Sequence, residues 1–150
     1  MGLHEEITKD LKEAIKAKEE LRISCLRMLK TALKNRQVEL GRELTDTEIQ
    51  TVISSLVRKG REAAEGFRKG GREDLAAKEE EEIQILHGYL PEQLDPGEIE
   101  KVVGEIIAEL GATGPKDMGK VMKAAMARMT GKAQGKEVSE IAKRLLSTTP

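Results

Sequence analysis

Aromatic side chains are almost missing from this 150-residue chain, which has one phenylalanine, Phe67, one tyrosine, Tyr89, and no tryptophan. Leu, Ile, Val, Met and Ala must therefore fill the core, and the scarcity of the residues that strands favour points to helices. The same scarcity removes the stacking platforms on which sequence-specific readers of single strands depend. Cysteine occurs once, at Cys25, so no internal disulfide forms, and His4 and His87 are too few to complete a metal cluster with it. No stretch approaches the roughly 20 apolar residues of a membrane helix. The opening Met-Gly-Leu-His-Glu-Glu lacks the basic and apolar pattern of a leader. From these absences the expectation is a cytoplasmic protein with no membrane partner. An excess of one charge sign is also lacking: Lys+Arg number 26 and Asp+Glu 27, for a net charge of -1. That excludes a uniformly basic nucleic-acid binder and leaves such a task to local patches.

What the chain does have is charge of both signs, 35% of its residues, set around narrow apolar stripes. Leu3, Ile7, Leu11, Ala14 and Ile15 recur at three and four and predict a first helix to about Ala17. A second spans about 19–40 on Leu26, Leu29, Leu33 and Leu40, with Gly41 placed as its cap. Thr45-Asp-Thr-Glu48 matches a capping box opening a third, in which Gly60 and Gly66 imply either loosening or close packing. After Gly70-Gly71 a fourth carries Leu75, Ile83, Leu86 and Leu90 and the run Glu79 to Glu82. Pro91 and Asp95-Pro96 then interrupt helical structure twice. Beyond them Ile99, Val102, Val103, Ile106, Ile107 and Leu110 mark a fifth helix ending at Gly111. Gly114-Pro115 opens a sixth with Met118, Val121, Met122, Ala125 and Met129 inward, and Val138, Ile141, Ala142, Leu145 and Leu146 mark a seventh. The predicted fold is all-α: an elongated four-helix N-terminal domain over 1–92 and a small three-helix C-terminal domain over 93–150.

Charge within the C-terminal part is polarised. From Lys116 to Arg144 there are eight basic residues against Asp117, Glu137 and Glu140, whereas 95–114 hold Lys101 against Asp95, Glu98, Glu100, Glu105 and Glu109. Lys116, Lys120 and Lys123 fall within about 60° of one another on a helical wheel, opposite the methionine-rich face. Together with Arg128, Lys132 and Lys136 they are the candidate phosphate contacts. Gly119, mid-helix between lysines, is placed to admit a close approach of a partner or, more plainly, a tight helix crossing, and Gly131 lies in a glycine-rich turn, Thr130-Gly-Lys-Ala-Gln-Gly135, that offers backbone N–H groups at a helix start. The plain alternative is a solvated lysine face and an interhelical loop. Arg27, Lys30 and Lys34 form a second basic patch on the second helix that could bind RNA or pair with Glu79 to Glu82, and the salt-bridge reading is favoured here. Arg22, on the apolar side of that helix, is expected to snorkel or meet a buried acid.

No catalytic constellation emerges. His4 and His87 lack a visible acid or nucleophile, Cys25 sits among Leu21, Leu26 and Leu29 as an inert thiol, and four consecutive glutamates diverge around a helix instead of converging on a metal. No catalytic residue, metal site or cofactor is expected.

Several stretches in order resemble the GatB/YqeY family over nearly the whole chain: Leu26-Arg-Met-Leu-Lys-Thr-Ala-Leu-Lys-Asn35, Gly70-Gly-Arg-Glu-Asp-Leu75, Tyr89-Leu-Pro-Glu-Gln-Leu94, Lys116-Asp-Met-Gly-Lys-Val-Met122 and Gly131-Lys-Ala-Gln-Gly135. The resemblance implies a helical N-terminal domain and a three-helix C-terminal domain. The latter is similar to the tail of the B subunit of the glutamine-dependent aspartyl/glutamyl-tRNA amidotransferase, which contacts tRNA. Related modules extend some glutaminyl-tRNA synthetases. The resemblance further implies an accessory tRNA-binding module that reads RNA backbone through its basic C-terminal helices. A second reading is a protein-interaction scaffold for an aminoacyl-tRNA synthetase or amidotransferase partner. A third is a carbon–nitrogen ligase using glutamine as amide donor, by family association, although the ATP-using core and the glutaminase are not in this sequence. The late motif departs from the family's commoner Ala-Asp-Gly by carrying Gln134.

Overall fold

The structure is a computed structural model that describes residues 2–148. Regular structure among these residues is helical throughout: α1 (Leu3–Ala17), α2 (Glu20–Leu40), α3 (Asp46–Lys69), α4 (Glu73–His87), α5 (Pro96–Leu110), α6 (Met118–Arg128) and α7 (Gly135–Thr148), with one 3-10 turn at Pro115–Asp117. The fold is all-α.

Local chemistry explains where these helices begin and end. At α3 the Thr45 hydroxyl accepts the Glu48 N–H at 3.2 Å and the Glu48 carboxylate accepts the Thr45 N–H at 3.0 Å, the reciprocal pair that Thr-x-x-Glu spacing encodes. Arg42 adds a two-pronged bond to the same carboxylate at 2.7 and 2.9 Å, and this bond holds the Glu48 carboxyl down at about 2. At α5 the Asp95 side chain accepts the Glu98 N–H at 2.8 Å, Pro96 occupies the first turn, and Gly111 closes the helix at a φ of 63°. The sixth helix differs from expectation. Asp117 donates its N–H to the Gly114 carbonyl at 3.0 Å, and its carboxylate accepts the Thr113 N–H at 3.0 Å, so the chain is wound into a 3-10 turn before α6 starts at Met118.

The chain divides into two compact units, one ending at Pro91 and the other beginning at Glu92. In the first, α1 to α4 enclose Ile7, Leu26, Leu29, Ile49, Ile53, Val57 and Leu86, all essentially inaccessible to water. Gly60 and Gly66, which the sequence treats alike, separate here. A Cβ on Gly60 would lie 3.0 Å from Ile83 Cγ1 on α4, whereas nothing lies within 4 Å of one on Gly66. Gly60 therefore faces Ile83 where α3 packs on α4 and leaves little room for a side chain, and Gly66 is an exposed weak point in a helix.

Tyr89, just past α4, donates its hydroxyl to Asp10 of α1 at 2.6 Å. Arg22 reaches the same carboxylate at 3.9 Å and Glu19 at 3.8 Å, so this arginine meets one half-buried acid and one exposed acid. Burial, followed by Asp10, pushes the Tyr89 phenol up.

Cys25 is buried, with Sγ 3.7 Å from the Glu82 carbonyl oxygen. Desolvation and the nearby Glu82 and Glu79 push its thiol up to about 12. The thiolate is the reactive form. A maleimide at pH 8 is accordingly expected to leave the folded protein unlabelled over hours and to label it stoichiometrically in denaturant, as read by intact mass; prompt labelling without denaturant would show Cys25 to be accessible.

The glutamate run of α4 corrects the pairing expected for the second basic patch. Glu80 pairs with Arg68 of α3, as does Glu73; Glu79 lies beside Gly60, and Glu82 offers its carbonyl to Cys25. Among the described residues none of the four joins Arg27, Lys30 or Lys34 in an ion pair. The reason is rotational: α2 turns Cys25, Leu26 and Leu29 toward the core, and its basic stripe falls on the side away from them.

In the second unit α5, α6 and α7 pack around Ile99, Val103, Ile106, Val121, Ala125, Met129, Val138, Ala142 and Leu146. The strap before α5 is fastened to the α6–α7 turn: Leu94 donates its N–H to the Lys132 carbonyl at 2.8 Å, and Gln93 Nε2 donates to the Gly131 carbonyl at 2.6 Å. Gly131 has a φ of 74°, a left-handed conformation that an L side chain resists.

Candidate nucleic-acid interface

α6 presents Val121, Ala125 and Met129 to the core, which turns Lys120 and Lys123 to solvent on the opposite side. Lys116 is exposed as well but rides on the 3-10 turn, so the wheel relation predicted for all three lysines holds only for Lys120 and Lys123. Gly119 lies in the first turn of α6, not in its middle. A Cβ there would meet nothing within 4 Å, which removes a tight helix crossing as the reason for this glycine.

The structure sorts the basic residues by type. Arg128 donates to Glu109 of α5 at 2.8 Å and lies 3.8 Å from Glu105, and Arg144 pairs with Glu100 of α5 at 3.1 Å. The acids of α5 thus neutralise the arginines of α6 and α7. Lys116, Lys120, Lys123, Lys132, Lys136 and Lys143 are exposed and have no ion-pair partner among the described residues. Arg128 is therefore separated from the lysines with which the sequence grouped it. Glu140 sits between Lys136 and Lys143 on the outer side of α7, so the acid-free cationic face is that of α6. Spacing of Glu105 and Glu109 at four residues was the available signal for Arg128, but only helix packing shows that they reach it.

At the α6–α7 turn, Lys132 and Lys136 are exposed while Gly131, Ala133 and Gln134 are buried. Gln134 holds the position before α7: Val138 donates its N–H to the Gln134 carbonyl at 3.1 Å. Its side chain is 8% exposed, and Nε2 is buried without a hydrogen-bond partner among the described residues. Asp, the commoner residue of the resembled family at this place, is among the best helix caps, because its carboxylate accepts first-turn N–H groups. Gln134→Asp is expected to raise stability by about 1 kcal/mol, or about 2–4 °C in the thermal midpoint of a chain of this size; a fall in the midpoint would show that Gln134 is fitted to its site.

On the first unit, Lys30 Nζ donates to Thr8 Oγ1 of α1 at 3.0 Å. A hollow of about 310 Å³ between α1 and α2 is lined by His4, Lys30, Thr31, Lys34 and Gln37. His4, which the sequence left idle near the start of the chain, thus belongs to a basic surface. His87 does have a neighbour: its Nε2 lies 3.2 Å from an Arg61 nitrogen, and burial, then Arg61, holds the imidazole below its usual range. They line a hollow of about 510 Å³ with Glu80, Glu81 and Gln84, which contains no hydroxyl or thiol nucleophile. Among the described residues no three His, Cys, Asp or Glu side chains are grouped to hold a metal ion, and no helix is long and apolar enough to cross a membrane.

A family model described as Yqey-like protein matches residues 4–146. Among curated relatives, the protein named Altered inheritance of mitochondria protein 41, mitochondrial, from Lachancea thermotolerans is 32% identical over 112 residues, which cover 73% of this chain and 60% of the relative. Its namesake from Vanderwaltozyma polyspora is 27% identical over 75% of this chain and 64% of the relative, and that from Pyrenophora tritici-repentis 27% identical over 85% and 71%. The chain thus spans less than two thirds of the length of the first two. These names correct the cytoplasmic expectation, since the relatives are named as mitochondrial proteins. One buried cysteine and the lack of a long apolar helix do not distinguish one reducing compartment from another. With the match running from α1 into α7, through both units, the chain belongs to the Yqey-like family.

Proposed function

We propose that this chain is an accessory tRNA-binding module that holds RNA by its phosphate backbone through the lysines of α6, the α6–α7 turn and α7. The observation that carries the reading is the sorting of charge in the second unit, where the arginines are tied to α5 acids and the exposed lysines are not. Lysine is a mobile point charge suited to phosphates of varied geometry, whereas the planar fork of arginine suits fixed bidentate partners. The near absence of aromatic residues agrees with recognition of backbone and shape instead of stacked bases. The likeness of this unit to an amidotransferase tail that contacts tRNA supplies the kind of RNA.

The test is binding of purified protein to total tRNA at two salt concentrations, with duplex DNA as control. Micromolar affinity that falls by about a hundredfold or more between 50 and 200 mM salt, as expected for about five phosphate contacts, supports the module. No binding at the lower salt removes it. Release of ammonia from glutamine by the chain alone would replace it with the ligase reading.

A further inference from the structure

The basic stripe of α2 is left without the acids the sequence offered it. Arg27, Lys30 and Lys34 succeed one another at three and four residues, and no acid occurs between Glu20 and Glu39. Arg27 and Lys34 are exposed with no ion-pair partner among the described residues, while Lys30 is steered across to Thr8. The adjoining hollow adds His4 and the Gln37 amide and contains no carboxylate. Three cations and an amide donor, with no acid among them, complement a phosphodiester, whose exposed oxygens only accept.

We propose that the basic stripe of α2, with the hollow beside it, is a second RNA-backbone contact, in which Arg27, Lys30 and Lys34 hold phosphates. It deepens the tRNA reading, on which it rests only in taking the same polyanion as occupant. An acidic protein segment fits less well, because protein partners anchor in buried apolar clusters, and the exposed apolar residues of α2, Met28 and Val38, are scattered singly. His4 and Gln37 also line the neighbouring hollow at Gly2 with Glu5, Glu43 and Asp46, so the cationic surface ends at these two residues and Arg27, Lys30 and Lys34 carry the contact.

The experiment uses the full chain, an RNA duplex of about 20 base pairs, long enough to present its backbone across a groove, and polyglutamate of matching charge as the competing probe. Arg27→Glu with Lys34→Glu, Lys120→Glu with Lys123→Glu, and all four together are compared at two salt concentrations, with helicity checked for each; Arg27→Gln with Lys34→Gln serves if the reversal disturbs folding. The α2 pair is expected to weaken RNA binding at least about tenfold at 50 mM salt and to flatten the log–log salt slope by nearly 2, and the quadruple variant to bind more weakly than either pair. Wild-type RNA affinity in the α2 pair, with loss in the α6 pair, overturns this inference and leaves the α6 reading standing. Loss in the α2 pair with none in the α6 pair does the reverse. Polyglutamate bound as tightly as RNA, and released by the α2 substitutions, overturns it in favour of an acidic protein partner.

Discussion

Lys120→Glu combined with Lys123→Glu lowers tRNA affinity by about a hundredfold at 50 mM salt and by about tenfold at 200 mM, because each phosphate contact contributes about 0.9 to the salt slope and its weight shrinks as salt rises. Both side chains are exposed on the outer side of α6, so circular dichroism and the thermal midpoint are expected to stay at wild-type values. Arg128→Gln is the informative control. Its charge is already engaged by Glu109 at 2.8 Å, so removing it changes affinity less than about threefold, and a loss of about tenfold or more in Arg128→Gln would place this arginine on the binding face after all. The salt slope separates the cases further: loss of two contacts flattens it by nearly 2, whereas a disturbed fold weakens binding without a defined change in slope.

Gly60→Leu lowers stability by about 3 kcal/mol, the upper range for inserting methylenes into a packed interior, and the thermal midpoint by about 10 °C for a chain of this size. A Cβ at this position already lies 3.0 Å from Ile83 Cγ1 and 3.3 Å from Ile83 Cδ1, and Ile83 is itself buried and stiff at its branched carbon. The remaining atoms of leucine can fit only if α3 and α4 move apart. Gly60→Ala is expected to be close to neutral, since the helix-propensity gain of about 1 kcal/mol is offset by the shift asked of Ile83. Gly66→Ala, with open space around its Cβ, keeps that gain and raises the midpoint by about 2–4 °C. Denaturant unfolding of the three variants checks the order; a Gly60→Leu protein as stable as wild type would show that the two helices do not meet as described.

Spacing placed Lys120 and Lys123 on one face, but it separates neither Gly60 from Gly66 nor Arg128 from the lysines. Gly60 and Gly66 occupy the same predicted helix six residues apart, and what separates them is Ile83, more than twenty positions away. Arg128 and Lys123 likewise look alike in a basic helix until α5 brings Glu105 and Glu109 alongside the arginine. The capping residues belong to the other category. Thr45 with Glu48, Asp95 with Pro96, and Gly111 announce their helix ends because the groups they satisfy lie within three or four residues of them.

The amino-acid sequence by itself determined that this chain is all helical, where most of its helices start and stop, which residues face the cores except Ile15 and Leu110, which the structure leaves exposed, and that its motifs are those of the Yqey-like family. These features arise from local hydrogen bonding and from the 3.6-residue period, which act over a few residues and are written directly in residue order. Only the tertiary structure decided which cations are left unpaired, that His4 belongs to a basic groove, that Gln134 stands where a helix cap is wanted, and that the α2 stripe turns away from the glutamates of α4. Those outcomes depend on how each helix is rotated about its axis and which neighbour it meets, and packing of many distant side chains at once sets that rotation.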